Sequence, residues 1–163
     1  MTKISVFLSK SKYLLGLQCP RLLWFHYNAK DKLPEVDEFT QALFDQGHSV
    51  GDFAKKNYPK GIDIEWDQGF AGVIKQSKNL LAKKAPLFES GFKFKNAYSR
   101  LDVLNPVGDE WDLIEVKSST KVKPVYIPDV AFQKYCCEGN GIKIRKCFLM
   151  HINNEYVREG EID

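Results

Sequence analysis

The sequence predicts an α/β domain, and three observations carry that expectation. Apolar residues recur at helical spacing through roughly the first half of the chain. After Pro86 the period changes to that of short strands rich in aromatic and β-branched residues. One more helix followed by one more strand closes the pattern. A chain of 163 residues suits one domain, spanning 1–163, around a single apolar core.

Taken in order, Ser9 is placed to cap a helix running through Gln18, and Pro20 forces a break before a second amphipathic turn, RLLWFHY. From Asp37 to about Tyr58 the residues Phe39, Leu43, Gly47, Val50 and Ala54 predict a long helix with one apolar face. Gly47 and Gly51 lie on that helix, and each costs it about 1 kcal/mol relative to alanine. Close approach of another backbone or a ligand is the expected reason for both.

After the turn Pro59-Lys60-Gly61 comes a short apolar alternation, Ile62 and Ile64, and then a helix from about Phe70 to Lys84 that ends at Pro86. The stretches LFESGFKFK, YSRLDVL and EWDLIEVKS predict three consecutive antiparallel strands, with NPVGDE as the hairpin loop between the second and third. Pro128 and Asp129 open a helix through about Glu138, stopped by Gly139-Asn140-Gly141, and KIRKCFLMHI follows as a strand. The tail VREGEID reads as an extended connection, which suggests the N-terminal part of something larger.

Hydrophobic residues make up 44% and charged residues 28% of the chain, a balance that argues against both disorder and a membrane-embedded protein. The net charge of +3 tolerates a polyanionic partner without demanding one. Lys3, Lys10 and Lys12 interrupt the opening segment, so it does not read as a signal peptide, and no stretch reaches transmembrane length. No membrane partner and a cytoplasmic setting are expected. The four cysteines, Cys19, Cys136, Cys137 and Cys147, lack zinc-ribbon spacing and are read as free thiols.

One strand carries the chemistry. Residues two apart on a strand share a face, so Glu115 and Lys117 stand side by side while Ile114 and Val116 pack the other way. The preceding strand brings Asp102 within cross-strand reach of Glu115 if the register is near symmetric about the hairpin. Two carboxylates converging on an apolar sheet repel each other and lose hydration unless a cation lies between them. Such an oxygen site suits Mg²⁺ or Mn²⁺ and the hydrolysis of a phosphodiester, with Lys117 orienting the attacking water or stabilising the transition state. On this view Glu115→Ala relieves repulsion and leaves the melting temperature similar or higher. Taken alone, an E-x-K on an exposed strand is usually a solvated ion pair.

With RLDVL, DLIEVKSST, QGHSVGDFA, DVAFQKY and the opening LSKSKYLLGLQCPRLLW together, nearly the whole chain resembles the RecB-like branch of the PD-(D/E)XK nuclease superfamily, and within it a bacterial family with the same opening. The resemblance implies a restriction-endonuclease-like core, a mixed sheet of about four to five strands flanked by helices. It also implies metal ligation at Asp102 and Glu115, a catalytic Lys117 and a supporting Gln133. RecB-like nucleases add a histidine and an acid from the long helix. Here the acid falls on Asp52, but the histidine position falls on Gly51, which leaves His48 to reach the metal from one turn earlier or not at all. The family tyrosine position falls on Cys137, which makes Tyr135 the substitute candidate for substrate contact. Some relatives clamp an iron–sulfur cluster, but Cys136 and Cys137 point about 100° apart on a helix, so no cluster is expected in this chain.

Arg100 and Lys121 are further substrate-binding candidates, the first for a phosphate, the second along a nucleic-acid backbone. The function expected is that of a metal-dependent nuclease acting on DNA in repair, recombination or defence. The alternative is a non-catalytic nucleic-acid-binding or assembly module that retains the fold.

Overall fold

The computed structural model describes residues 7–160, and among these the α/β class and the mixed sheet flanked by helices are as expected. A two-residue strand β1 (Leu8–Ser9) leads into α1 (Lys10–Gln18), and α2 (Pro20–Asn28) follows the break at Pro20. Ser9 caps α1 by accepting the Lys12 N–H at 3.4 Å. The long helix α3 (Glu38–Lys55) is capped by Asp37, whose carboxylate accepts the Thr40 N–H at 2.7 Å. Then come β2 (Ile62–Asp63), α4 (Gly69–Leu80), β3 (Leu87–Phe94), β4 (Ala97–Val107), β5 (Glu110–Lys117), α5 (Tyr126–Glu138) and β6 (Ile144–His151).

Strands β3, β4 and β5 form the antiparallel meander read from their alternation, whereas β2 joins β3 and β6 joins β5 in parallel. The sheet order is β2-β3-β4-β5-β6, and β1 pairs in parallel with β4. Six strands stand where four to five were expected. The excess comes from β1 and β2, two residues each; the alternation at Ile62 and Ile64 marks β2, whereas β1 is too short to carry a pattern of its own.

The main core lies on the face covered by α4, α5 and α1, with Leu87, Phe92, Leu101, Leu104, Leu113 and Phe132 among its buried members. Helix α1 docks on α5 through Tyr13 and Phe132, whose rings stack at 4.7 Å. A smaller core of Phe88, Val103 and Ile114, with Tyr58, Val116 and Met150 against it, lies on the opposite face. Across β5 and β6 the Arg145 guanidinium grips the buried Asp112 carboxylate in a two-pronged pair, Nε to Oδ1 at 2.9 Å and Nη2 to Oδ2 at 2.5 Å.

Three local expectations are corrected. The hairpin loop is two residues, Gly108-Asp109, with Gly108 at φ +61°, and Asn105, Pro106 and Val107 continue β4. Pro106 is tolerated there because the Trp111 N–H bonds Lys143 on the other side, so its pair is not a hydrogen-bonded one, and β3 has ended its pairing at Leu104. Helix α5 starts at Tyr126, with Pro128 inside its first turn.

The third correction concerns α3, whose apolar stripe does not enter a core. Ala54 is its only buried member, while Phe39 is 72% exposed and Leu43 47%. Opposite it the sheet offers Glu89, Arg100 and Asp102 beside Val103 and Val116, and the helix from Gln41 to Lys55 lines a cavity there instead. Gly47 and Gly51 meet no close backbone either: a Cβ built on each has no heavy atom within 4 Å.

Leu101→Ala, at the centre of the main core, is expected to cost about 2–5 kcal/mol, read as a lower urea midpoint with unchanged slope. Burial pushes the Cys136 thiol from 9.0 up to about 12 and the Tyr98 hydroxyl from 10.0 up to about 12. A raised folded-state pKa stabilises fully below the unfolded value and is lost as pH climbs through the folded one. The melting temperature should therefore hold up to pH 9 and fall progressively between pH 9 and 12, and Cys136→Ala should weaken the onset near pH 9.

Candidate metal and phosphodiester site

Backbone pairing between β4 and β5 runs from Val107↔Glu110 to Val103↔Ile114 and stops there. One residue further the Asp102 carboxylate takes over, its Oδ2 accepting the Val116 N–H at 2.7 Å. This register sets Asp102 level with Glu115, as the hairpin argument required. Towards its start, at Ala97 and Tyr98, β4 is paired by β1 instead. Between the end of β5 pairing and the start of β1 pairing, the edge of β4 has no strand beside it in the described residues, and the site lies at that gap.

Glu115 is only 2% exposed, and its partners come from three segments. Lys10, the first residue of α1, places its Nζ 3.0 Å from both carboxylate oxygens. Lys117, two residues along β5, donates to Oε1 at 2.6 Å, and Gln133 on α5 donates to Oε2 at 2.6 Å. A second buried carboxylate, Asp129, accepts from Lys117 at 2.7 Å and from Gln133 at 3.0 Å, and lies 3.8 Å from Lys10. Asp129 and Gln133 are four apart on α5, hence on one helix face.

Burial works against charge on Lys117, but Glu115 and Asp129 outweigh it and hold its pKa above the ordinary lysine value. The same balance, with Glu115, Asp102 and Asp129 overcoming desolvation, raises Lys10. Both side chains are therefore ammonium ions and hydrogen-bond donors, not bases. The Gln133 amide, with its NH₂ spent on two carboxylates, leaves Oε1 buried and without a donor among the described residues.

Next to this cluster opens a cavity of about 1010 Å³, walled by α3 on one side and by Glu89, Arg100, Asp102, Glu115 and Lys117 on the other. His48 and Asp52 line it from α3, as their shared helix face required. They do not converge with Asp102 and Glu115, since no three His, Cys, Asp or Glu side chains among the described residues are close enough to hold one ion. Asp52 is 76% exposed and lies 3.8 Å from Lys55. Of the four expected ligands, Asp102 and Glu115 stand level on adjacent strands, and His48 and Asp52 do not join them.

Arg100 reaches the cavity with two of its three nitrogens engaged: Nε lies 3.2 Å from both the backbone oxygen and the Oε2 of Glu89, and Nη2 bonds the Ile64 carbonyl at 3.2 Å. Two further candidates lie elsewhere. Tyr135 faces away from the site, two residues round α5 from Gln133, with its ring 5.2 Å from Phe94. Lys121 is in an exposed loop where its carbonyl accepts the Ser119 hydroxyl at 3.0 Å. All four cysteines are free, and Cys136 and Cys137 belong to the main core.

Lys10, Asp129 and Glu89 escaped the sequence reading. Asp129 passed as a helix opener, although its spacing from Gln133 was a usable signal. Lys10 lay in a Lys- and Ser-rich opening that resembles any solvated helix start. Glu89 has φ +56°, a left-handed backbone that costs a non-glycine residue of the order of 1–3 kcal/mol and that no sequence pattern announces.

No family model, curated protein or solved structure matches the chain. Among the described residues no helix is long and apolar enough to cross a membrane.

The expectation that loss of Glu115 relieves repulsion has no ground in this geometry, where the carboxylate is matched by two ammoniums and an amide. Glu115→Ala is expected to destabilise by about 3–5 kcal/mol, because it leaves buried charges unpaired. Glu115→Gln should lose less, and denaturant unfolding of the two variants beside the wild type checks both.

Proposed function

We propose that this chain is a divalent-metal-dependent nuclease that hydrolyses DNA phosphodiester bonds, built on the RecB-like form of the PD-(D/E)XK core. The observation that carries the reading is the gap beside β4. There two carboxylates from adjacent strands, Asp102 and Glu115, and a cationic lysine two residues beyond the second open on a cavity large enough for a nucleotide.

The donor chemistry fits Mg²⁺ or Mn²⁺. These ions take one or two protein carboxylates and keep several waters, so Asp102 and Glu115 suffice without a third acidic ligand. The unpaired Oε1 of Gln133 is a further hard oxygen in the same cluster. An ion held by Asp102 and Glu115 would supply polarisation of a phosphoryl oxygen and a water of lowered pKa.

The chain's own residues do the rest. Lys117, kept protonated by Glu115 and Asp129, presents N–H donors to negative charge developing on the phosphoryl group. Gln133 and Asp129 fix the rotamers of Glu115 and Lys117, which keeps these groups aligned before substrate arrives. Val116 does the same for Asp102 through its backbone N–H. The bare helix surface at Gly47 and Gly51 leaves room for the strand being cut.

One observation favours the alternative of a non-catalytic binding module: each of these carboxylates already has a partner within the protein. Cleavage of fluorescently labelled single-stranded and duplex DNA in Mn²⁺ separates the readings. On the nuclease reading Lys117→Met and Asp102→Asn each lower the cleavage rate by about 10²-fold or more, whereas Lys121→Ala and Tyr135→Phe leave it unchanged. Absence of cleavage on every substrate, together with salt-dependent DNA binding that survives loss of both carboxylates, would establish the binding module.

A further inference from the structure

Lys10 is the one member of the cluster that reaches it from outside the sheet and α5. Its position is set by the short strand before it. β1 pairs with β4 at Leu8↔Ala97 and Ser9↔Tyr98, and the Leu8 N–H bonds the Asn96 carbonyl at 2.6 Å. The chain then turns into α1, so the first side chain after the pairing ends projects into the gap beside Asp102. There its Nζ straddles Glu115, 3.0 Å from each oxygen. Equidistant from the two oxygens, the ammonium stands where a cation held by Glu115 would compete with it.

We propose that the Lys10 ammonium and a divalent cation are alternative occupants of the Glu115 carboxylate, so that metal binding expels Lys10 into the adjoining cavity. This rests on the metal-site reading above and adds a residue to it.

Charge balance points the same way. Asp102, Glu115 and Asp129 face Lys10 and Lys117, three negative groups against two positive, and the cluster carries one net negative charge. Exchanging the Lys10 ammonium for a doubly charged ion brings the group to neutrality. Adding the ion with Lys10 in place would leave it positive, with two cations a few ångströms apart in a buried setting where repulsion is poorly screened.

Lys10 is free to leave in a way that Lys117 is not. Both side chains are about one-fifth exposed and line the cavity, but Lys10 hydrogen-bonds Glu115 alone and lies 3.8 Å from Asp129, and its four-carbon stem can swing without moving the backbone. Lys117 is held on both sides, by Glu115 and Asp129. In the ion-free protein Lys10 thus keeps a buried carboxylate matched, and the ion must displace it to bind.

The test is Mn²⁺ titration by calorimetry on the full chain, as wild type, Lys10→Met, Lys10→Gln and Lys10→Arg, with the Mn²⁺-induced shift in melting temperature as a second readout. Removing the competing charge should tighten Mn²⁺ binding on the order of tenfold in Lys10→Met and Lys10→Gln, a coupling of ordinary size between two ligands of one group. Lys10→Arg, which keeps the charge, should stay near the wild type. The ion-free Met and Gln variants should melt lower than wild type and gain more on adding Mn²⁺.

A lysine that merely braces Glu115 would give the opposite, equal or weaker Mn²⁺ binding once removed, and that result overturns the assignment while leaving the metal site standing. Mn²⁺ binding to none of the four proteins overturns both. Should Lys10→Met fail to fold, Lys10→Gln, which keeps a hydrogen-bond donor, carries the same comparison.

Discussion

A carboxylate removed from water survives as an ion only where opposite charge and hydrogen bonds replace its hydration, and Glu115 meets that condition through three separate parts of the chain. Lys10 comes from the start of α1, Lys117 from the same strand, and Gln133 from α5. The Lys117 contact is local to β5, but those of Lys10 and Gln133 need α1 and α5 docked against the sheet. Apolar packing of Tyr13 on Phe132 and of Leu113 in the main core brings those elements together. The polar cluster then admits only the arrangement in which each charge finds its partner, because a slip that left one unpaired would cost several kcal/mol.

The cavity follows from the same constraint. A sheet face bearing Glu89, Arg100 and Asp102 cannot be covered by an apolar helix surface, since covering it would strip water from charged groups without replacing it. Helix α3 is therefore anchored only near its C-terminal end, at Ala54, and stands off along the rest. Glu89 and Arg100 answer each other across β3 and β4, and the Arg100 guanidinium lies 5.4 Å above the Trp66 ring. Glu89 and Arg100 on the floor of the cavity are thus paired with each other. Its opposite wall is a helix with exposed Leu43 and Phe44 and two bare glycines.

Much of this was legible in the sequence, and the failures share a cause. Alternation in LFESGFKFK, YSRLDVL and EWDLIEVKS is a local property, and it located β3, β4 and β5 and the shared face of Glu115 and Lys117. The register that brings Asp102 level with Glu115 followed from a hairpin, which is also local. Three features depended on what lies across space. Whether the stripe of α3 is buried depends on the charged sheet surface opposite it. Whether Tyr135 faces the site depends on the rotation of α5, which is set by Asp129 and Gln133. Lys10 reaches a carboxylate more than a hundred residues away through the pairing of a two-residue strand that no window of sequence could reveal.

The charges around the cavity bear on how a polyanion could be held there. Lys10, Lys117 and Arg100 each face a carboxylate, and Lys55, at the rim, bonds Asp63 at 2.5 Å. With its cations so matched, the cavity offers little attraction to a phosphate backbone, despite a net charge of +3 over the whole chain. Attraction arises when the carboxylates are neutralised by something else. Under the proposed reading a divalent ion at Asp102 and Glu115 does this, and the lysine it displaces becomes an uncommitted ammonium in the same cavity. Ion and phosphate would then bind with positive coupling, since each removes charge that opposes the other. A module that held nucleic acid without a metal would gain nothing from setting Asp102 beside the buried carboxylates Glu115 and Asp129 at its binding surface.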